Sequence, residues 1–225
     1  MAGLKKYVLI VAGGYGSRMG SDVPKQFISI AGKPILIHTF EAFLKYSQDL
    51  IFILILPADQ IDNWRKICVE NSFSTPHIIK EGGATRFQSV KKGLEIIKED
   101  GLVAIHDGVR PCVPQEVISS SFLIAKSKGS AIASVSIRES IRKVVGNNSQ
   151  VMNRNDFVVI QTPQTFPINL IQKAYEIHEQ DFFTDDATVY ETAGMPVNLI
   201  EGSYSNIKIT TKDDLRIAEA FLTHK

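Results

Sequence analysis

The sequence is poor in cysteine, with only Cys68 and Cys112 among its 225 residues. The two lie far apart in the chain and neither belongs to a CxxC pair. This argues against a disulfide-stapled scaffold and against a thiolate zinc site, both of which need more cysteines or closer spacing. We therefore expect a protein of a reducing compartment, the cytoplasm.

Long hydrophobic runs are also absent. The longest continuous apolar run covers residues 50–56, whereas a transmembrane helix needs about 20 residues. The N-terminal apolar run, residues 7–12, ends at glycines and is too short for a signal peptide. We find no internal repeat and no linker-like tract. The sequence therefore predicts a soluble protein without a membrane partner, folded as one domain over residues 1–225.

The chain has little net charge: 25 Lys and Arg face 24 Asp and Glu, which leaves +1. Such a balance gives no long-range field to attract nucleic acid or a membrane surface. Any anionic partner must then be held by a local site. The 44% of hydrophobic residues is enough for a buried core.

Short β-branched runs alternate with amphipathic stretches of helical spacing. Several runs are continuously apolar, as in strands covered on both faces. The pattern predicts an α/β fold with a Rossmann-like, mainly parallel sheet and helices on both of its faces. Ligands of such folds bind beyond the carboxyl ends of the strands. Strands are predicted over 7–12, 50–56, 102–105, 131–137, 157–160 and 197–200, and helices over 35–46, 60–71, 85–98, 114–128, 168–180, 185–193 and 212–222.

One segment, residues 137–158, breaks this alternation. It has β-like pieces around the Gly-Asn-Asn turn at 146–148 and no helical period. We interpret it as a β-hairpin arm inserted in the α/β domain. A passive surface excursion would leave the same pattern.

The first predicted strand runs into a glycine-rich loop, AGGYGSRMG at residues 12–20. Glycines let backbone N–H groups approach a ligand closely, as in loops that cradle phosphates. The loop is neither a Walker A motif nor a dinucleotide fingerprint, because no Gly-Lys-Ser/Thr closes it and Met19 stands where a third glycine would fall. Arg18 and the nearby Lys25 favour a triphosphate ligand. A purely structural turn is the alternative.

Asp107 comes directly after the apolar run 102–105, at the carboxyl end of a predicted strand. A carboxylate there could meet a Mg²⁺ ion that bridges nucleotide phosphates. A turn or helix-cap acid is the alternative, but Arg110 three residues later favours an anionic substrate. We interpret His106 as structural.

Three further features are ambiguous from the residues alone. Gly82 and Gly83 follow a short apolar run and precede a predicted helix, so their backbone could contact a base edge. Ser89 would be an ordinary helical serine. Lys208 lies between two isoleucines on a predicted strand, where a solvated lysine is the usual finding.

Six segments recur in the order found in one enzyme family. They are AGGYGSRM at 12–19 with PKQ at 24–26, GGATR at 82–86 with Ser89, HDGVRP at 106–111, Arg154 with TPQ at 162–164, TDDA at 184–187, and NIKIT at 206–210. In these motifs the chain resembles nucleotidyltransferases that couple a nucleoside triphosphate to a phosphorylated sugar or polyol. More narrowly it resembles the 2-C-methyl-D-erythritol 4-phosphate cytidylyltransferases, over nearly its whole length.

The resemblance implies transfer of the cytidylyl group of CTP to the polyol phosphate, with Mg²⁺ as cofactor near Asp107. It also implies a homodimer in which the 137–158 arm reaches the partner's site. It assigns nucleotide binding to Ala12, Gly13, Gly14, Gly16, Gly82, Gly83 and Ser89; catalysis to Arg18, Lys25 and Lys208; and polyol-phosphate binding to Asp107, Arg110, Ser140, Arg154 and Thr162. The family commonly has Thr at the position of Ser140. The serine keeps the hydroxyl group of a threonine but lacks its methyl group. TDDA at 184–187 is interpreted as structural, with Thr184 capping a helix.

Two other functions fit the sequence. A D-ribitol 5-phosphate cytidylyltransferase has a similar glycine loop and a similar segment to TPQTF at 162–166. A non-catalytic nucleotide-binding protein of the same fold is expected to have lost Lys25, Asp107 or Lys208, and all three are present.

Overall fold

The computed structural model describes residues 4–14 and 23–223. Its strands are β1 (Lys5–Val11), β2 (Ser29–Ile30), β3 (Lys33–Pro34), β4 (Ile51–Leu56), β5 (His77–Glu81), β6 (Gly101–Asp107), β7 (Ala131–Ser136), β8 (Ile141–Val145), β9 (Asn148–Met152), β10 (Val158–Pro167) and β11 (Leu199–Glu201). Seven of them form one sheet in the order β11-β7-β10-β6-β1-β4-β5. All neighbours in it are parallel except that β10 runs antiparallel to β6 and β7. The predicted mainly parallel α/β sheet is confirmed.

Helices cover both faces of the sheet. They are α1 (Ile35–Tyr46), α2 (Ile61–Glu70), α3 (Arg86–Leu94), α4 (Gln115–Lys128), α5 (Ile168–Ala174), α6 (Asp186–Thr192) and α7 (Lys212–Thr223). Side chains of α1, α2 and α4 build one large core, those of α3, α5 and α6 build a second, and Ala218 of α7 belongs to a smaller third cluster with Val109 and Ile209. Among the described residues, no helix is long and apolar enough to span a bilayer.

The strand residues explain the two cores. Successive side chains of a strand point to opposite faces, so Val8 and Ile10 of β1 enter the first core while Tyr7 and Leu9 enter the second. All seven residues of β6 are buried. The central strands are therefore apolar without alternation, as predicted, and their carboxyl ends meet at one edge.

Two helices end earlier than predicted. Helix α3 ends at Leu94 instead of 98, because the Gln172 side chain donates from Nε2 to the carbonyls of Leu94 and Ile97, each at 2.8 Å. Helix α5 ends at Ala174 instead of 180, where the next residue, Tyr175, is buried and donates its hydroxyl to Asp186. Side chains distant in sequence thus set both ends.

Two strand predictions are also wrong. Strand β10 extends to Pro167 instead of 160, because its polar stretch pairs with β6 and β7 through Gln164 and Thr165. Lys208 is not on a strand. Residues 206–210 form an extended segment attached by a bond from Ile209 N to Val109 O at 3.0 Å, without a strand ladder.

The predicted hairpin arm is present. Strands β8 and β9 pair only with each other in a two-stranded antiparallel sheet. Gly146 turns the chain with a φ of 57°, a conformation that favours glycine. The arm leaves the central sheet after β7 and returns to it at β10.

Candidate functional site

The carboxyl end of β1 is fixed by hydrogen bonds to Ala12. Its N–H donates to Ile55 O at 3.0 Å, and the buried Gln26 side chain donates from Nε2 to Ala12 O, also at 3.0 Å. Gln26 thus positions the start of the glycine loop, a role that its place beside Lys25 in the PKQ segment did not reveal.

A cleft of about 280 Å³ opens above this strand end. Gly14 lies against the stem of Lys25, whose Cε is 3.8 Å from where a Cβ on that glycine would stand. The predicted Gly16 and Arg18 lie outside the described residues. Predicted site residues that line the cleft are Ala12, Gly13, Gly14, Lys25, Gly83, Ser89, Asp107 and Lys208.

The loop before α3 forms another wall of this cleft. Ser89 Oγ accepts from Gly83 N at 3.0 Å and donates to Thr85 O at 2.8 Å. A Cβ on Gly83 would lie 2.3 Å from Gln88 Cβ, and one on Gly82 would lie 2.9 Å from Ser89 Oγ. Neither glycine has room for a side chain, and Ser89 holds the loop backbone in place.

Asp107 ends β6 at the floor of the cleft. Its Oδ2 lies 3.0 Å from both Arg110 Nε and Lys208 Nζ. Burial would raise the pKa of this carboxyl, but the charges of Lys208, Arg110 and Arg86 hold it well below its usual range. The structure therefore brings two predicted cationic residues, Arg110 and Lys208, to the ionised carboxylate of a third, Asp107.

Thr162 connects this cluster to the rest of the site. Its Oγ1 accepts from Asp107 N at 3.1 Å and lies 3.0 Å from His106 Nδ1. The side chain of Asn206 donates from Nδ2 to the backbone carbonyl of Thr162 at 2.7 Å. The backbone carbonyl of Asn206 accepts from Arg110 Nη1, also at 2.7 Å. All five residues are buried. Asn206, two residues before Lys208, is a positioning residue that the motif alone did not reveal.

His106 is a neutral member of this network. Burial lowers its pKa to about 4. Its Nε2 lies 3.1 Å from the carbonyl of Arg110. Since a carbonyl only accepts, Nε2 carries the proton and Nδ1 accepts from the Thr162 hydroxyl. Both ring nitrogens are thus engaged in hydrogen bonds within the protein, which agrees with the interpretation of His106 as structural.

A second cleft, of about 310 Å³, adjoins the first. Arg110, Thr162 and Gln164 line it, and the two clefts share Asp107 and Lys208. Arg86 is also shared, although its place in the GGATR motif suggested no role for it. Two neighbouring clefts with common charged residues can hold two anionic groups in contact.

The TDDA segment forms the start of α6. The helix N-cap is Asp185 and not the predicted Thr184, because Asp185 Oδ1 accepts from Thr188 N at 2.9 Å. The other oxygen of Asp185 accepts from Gln164 Nε2 at 2.8 Å. The N–H groups in the first turn of a helix have no acceptor within the helix, and an aspartate side chain at the N-cap is a good acceptor for them.

Ser140 and Arg154 lie on the arm and line neither cleft of their own chain. Both are exposed. Arg154 Nη1 donates to the carbonyl of Arg138. In the part of the chain that the structure describes, these two residues therefore share neither cleft with the other predicted ones.

The described residues fit a magnesium ion only together with phosphates. Among them, no group of three or more His, Cys, Asp or Glu could hold a metal alone. Mg²⁺ commonly binds through one or two carboxylates plus substrate phosphates. Asp107, an ionised carboxylate in the cleft, suits such a site.

Comparisons with known proteins agree on one family. The family model described as 2-C-methyl-D-erythritol 4-phosphate cytidylyltransferase matches residues 7–224. The chain belongs to this family. It is 49% identical to the enzyme of that name from Bacteroides fragilis, over 95% of this chain and 98% of the relative, and 48% identical to that from Bacteroides thetaiotaomicron, over 97% and 100%.

Solved structures of the family share its fold. The 4-diphosphocytidyl-2C-methyl-D-erythritol synthase of Anaerococcus prevotii aligns with a TM-score of 0.82 at 27% identity, over 97% of this chain and 96% of that one. The Francisella tularensis cytidylyltransferase aligns with a TM-score of 0.77 at 31% identity, over 96% and 99%. All four of these proteins bear methylerythritol names.

Proposed function

We propose that this enzyme transfers the cytidylyl group of CTP to 2-C-methyl-D-erythritol 4-phosphate. The products are 4-diphosphocytidyl-2-C-methyl-D-erythritol and pyrophosphate, in the non-mevalonate route to isoprenoids. The observation that carries this proposal is that two clefts share Asp107 and Lys208. It is made in a chain that belongs to the cytidylyltransferase family. The scarcity of cysteine supports a cytoplasmic location.

CTP would occupy the first cleft, with its triphosphate along the glycine loop and its base near Gly82, Gly83 and Ser89. An oxygen of the acceptor phosphate attacks the α-phosphorus in line. The new P–O bond forms as the bond to the β-phosphate oxygen breaks, and pyrophosphate leaves with that electron pair. No covalent enzyme intermediate is needed, since such transfers depend on positioning and electrostatic stabilisation.

Cations of the site oppose the repulsion between the two anionic reactants. Lys25 and Lys208 would neutralise charge on the oxygens of the α-phosphate, and Arg18 would contact the β- and γ-phosphates. The ion pair with Asp107 orients Lys208 before substrate binds, because Lys208 Nζ already lies 3.0 Å from Asp107 Oδ2. Such preorganised charge favours the transition state.

Asp107 would also hold Mg²⁺ together with phosphate oxygens of the nucleotide. When bound, the metal supplies positive charge to those oxygens. Asp107 is suited to this because its pKa lies far below neutral pH. Its backbone N–H bond to Thr162 keeps the carboxylate at the floor of the cleft.

The acceptor phosphate would bind in the second cleft, beside Arg110 and Thr162. We propose that the site is completed in a homodimer, where Ser140 and Arg154 on the 137–158 arm of one subunit reach the acceptor in the other. Both side chains are exposed and line neither cleft of their own chain, which supports this.

Pyrophosphate release tests the function directly. Each of four nucleoside triphosphates is combined with methylerythritol phosphate or ribitol 5-phosphate, with and without Mg²⁺. We expect release only with CTP, methylerythritol phosphate and the metal together. Turnover with ribitol 5-phosphate but not with methylerythritol phosphate would contradict the proposed acceptor. Turnover that a chelator leaves unchanged would contradict the proposed need for Mg²⁺.

A further inference from the structure

Arg86 stands at the boundary between the two clefts. It begins α3, and its side chain lines both cavities. Nη1 and Nη2 donate to the two carboxylate oxygens of Asp186 at 2.8 and 2.6 Å. The side chain keeps 26% of its surface exposed, whereas that of Asp186 has none. The exposed part of the Arg86 side chain therefore faces the clefts that it lines.

Asp186 is itself held from behind. Its Oδ1 accepts from the buried hydroxyl of Tyr175 at 2.6 Å. Tyr175 in turn stacks on Phe87, the neighbour of Arg86, with ring centroids 4.7 Å apart. A bidentate pair with such backing fixes both the position and the plane of the guanidinium.

This arrangement leaves donors for a ligand. A guanidinium has five N–H groups, and Asp186 takes two of them. Among the described residues, the side chain of Arg86 makes no hydrogen bond other than those to Asp186. Arg86 lines both clefts together with Asp107 and Lys208, and its charge helps to lower the pKa of Asp107.

We propose that Arg86 is a further substrate-binding residue, which donates to the acceptor phosphate at the junction of the clefts. Asp186 and Tyr175 are its positioning residues. This inference rests on the proposed function, since the two clefts must hold the two reacting phosphates. An arginine matches phosphate geometry and stays charged at every working pH.

Truncating Arg86 alone would confuse two effects, because Asp186 would be left buried without its partner. The double variant Arg86→Gln/Asp186→Asn removes both charges and leaves two amides that can bond to each other. Arg86→Lys keeps the charge but cannot make the bidentate pair and contact phosphate as well. Arg65→Gln is the control, because Arg65 pairs with Asp62 on an exposed helix surface.

The experiment measures kcat, KM for each substrate, and thermal unfolding for all variants. We expect the double variant to unfold near the wild-type temperature. Its kcat/KM for methylerythritol phosphate should be about 100-fold lower, as for the loss of one transition-state donor, with KM for CTP little changed. Arg86→Lys should lose at least tenfold, and Arg65→Gln should match the wild type.

A double variant that is stable and within threefold of wild-type activity would overturn the role of Arg86. If that variant does not fold, Arg86→Lys decides in its place, and wild-type kinetics for it would overturn the proposal equally. An inactive wild-type enzyme would instead reject the proposed function.

Discussion

The cleft region and the arm differ in how far one chain buries their side chains. In the cleft, Asp107, Arg110 and Thr162 are buried and bonded to one another within one chain. On the arm, Val144 and Val151 are 75% and 76% exposed, and no strand of the central sheet pairs with its two strands. The cleft is therefore assembled by the fold itself, whereas the arm has a surface that one chain leaves uncovered.

This difference indicates where substitutions should act. A change in the cleft disturbs a network whose members depend on one another, so it should alter both stability and chemistry. A change at the tip of the arm removes few contacts within the chain, so it should alter association and not the folding of the subunit.

The strongest test of the cleft is Asp107→Asn. The amide keeps the shape but cannot neutralise Arg110 and Lys208 or act as an anionic metal ligand. We expect kcat to fall about 10³-fold or more, with only partial recovery in excess Mg²⁺. Asp49→Asn, at an exposed position in the loop before β4, is the matched control and should stay within twofold. Near-normal turnover of Asp107→Asn would contradict its role.

The buried His106 should make folding pH-dependent. Its pKa of about 4 in the folded protein lies below the ordinary 6.5, so the unfolded chain binds the proton first as pH falls. Stability from this group is complete above pH 6.5 and is lost between 6.5 and 4, by roughly 3 kcal/mol. Urea unfolding at several pH values measures it.

Two variants isolate the contribution of this histidine. His106→Gln should remove that part of the pH slope, whereas His178→Gln, at an exposed position, should keep it. An unchanged slope in His106→Gln would show that other groups cause the loss of stability.

Lys25→Ala separates rate from binding in the cleft. Because its charge is proposed to act mainly in the transition state, kcat should fall about 10²-fold while KM for CTP changes little. Steady-state kinetics beside Lys66→Ala, on the exposed face of α2, give the comparison. A rise of about 10²-fold in KM for CTP with no change in kcat would instead show that Lys25 binds CTP equally in the ground state and the transition state.

The smallest effect on folding is expected on the arm. Val151→Ser should change the unfolding free energy of the subunit by less than about 0.5 kcal/mol, since the side chain is exposed in one chain. In a dimer built through the arm, the same change should weaken association, which sedimentation velocity detects. A dimer that survives unchanged would show that this face of the arm is not in the interface.

The sequence predicted best what depends on local pattern. The continuous apolar run of β4 and the Gly-Asn-Asn turn of the arm each determine an element with little help from the rest of the chain. Strand β10 was predicted too short because its polar residues Gln164 and Thr165 are buried by pairing with β6 and β7 and by side-chain bonds to α6 and α4. Such partners are invisible in a single sequence.

The site shows the same limit. Asp107 could be placed because a strand end is a local feature, and the motifs named Lys25 and Lys208. Gln26, Asn206 and Arg86 act through bonds to residues 14, 44 and 100 positions away. Only the folded chain reveals those contacts.

Complementation between two inactive variants tests the contrast between cleft and arm most directly. Lys25→Ala damages the cleft and Arg154→Ala damages the arm, so each homodimer should be nearly inactive. After dissociation and equal mixing, about half of the dimers are mixed. If the arm serves the partner's cleft, each mixed dimer has one site with both defects and one intact site.

We predict that mixing restores about a quarter of wild-type activity, because half of the dimers then carry one intact site of two. If Arg154 serves its own chain, every site keeps one defect and mixing restores nothing. That second result, with subunit exchange shown independently by mass spectrometry, would contradict a site shared between two chains.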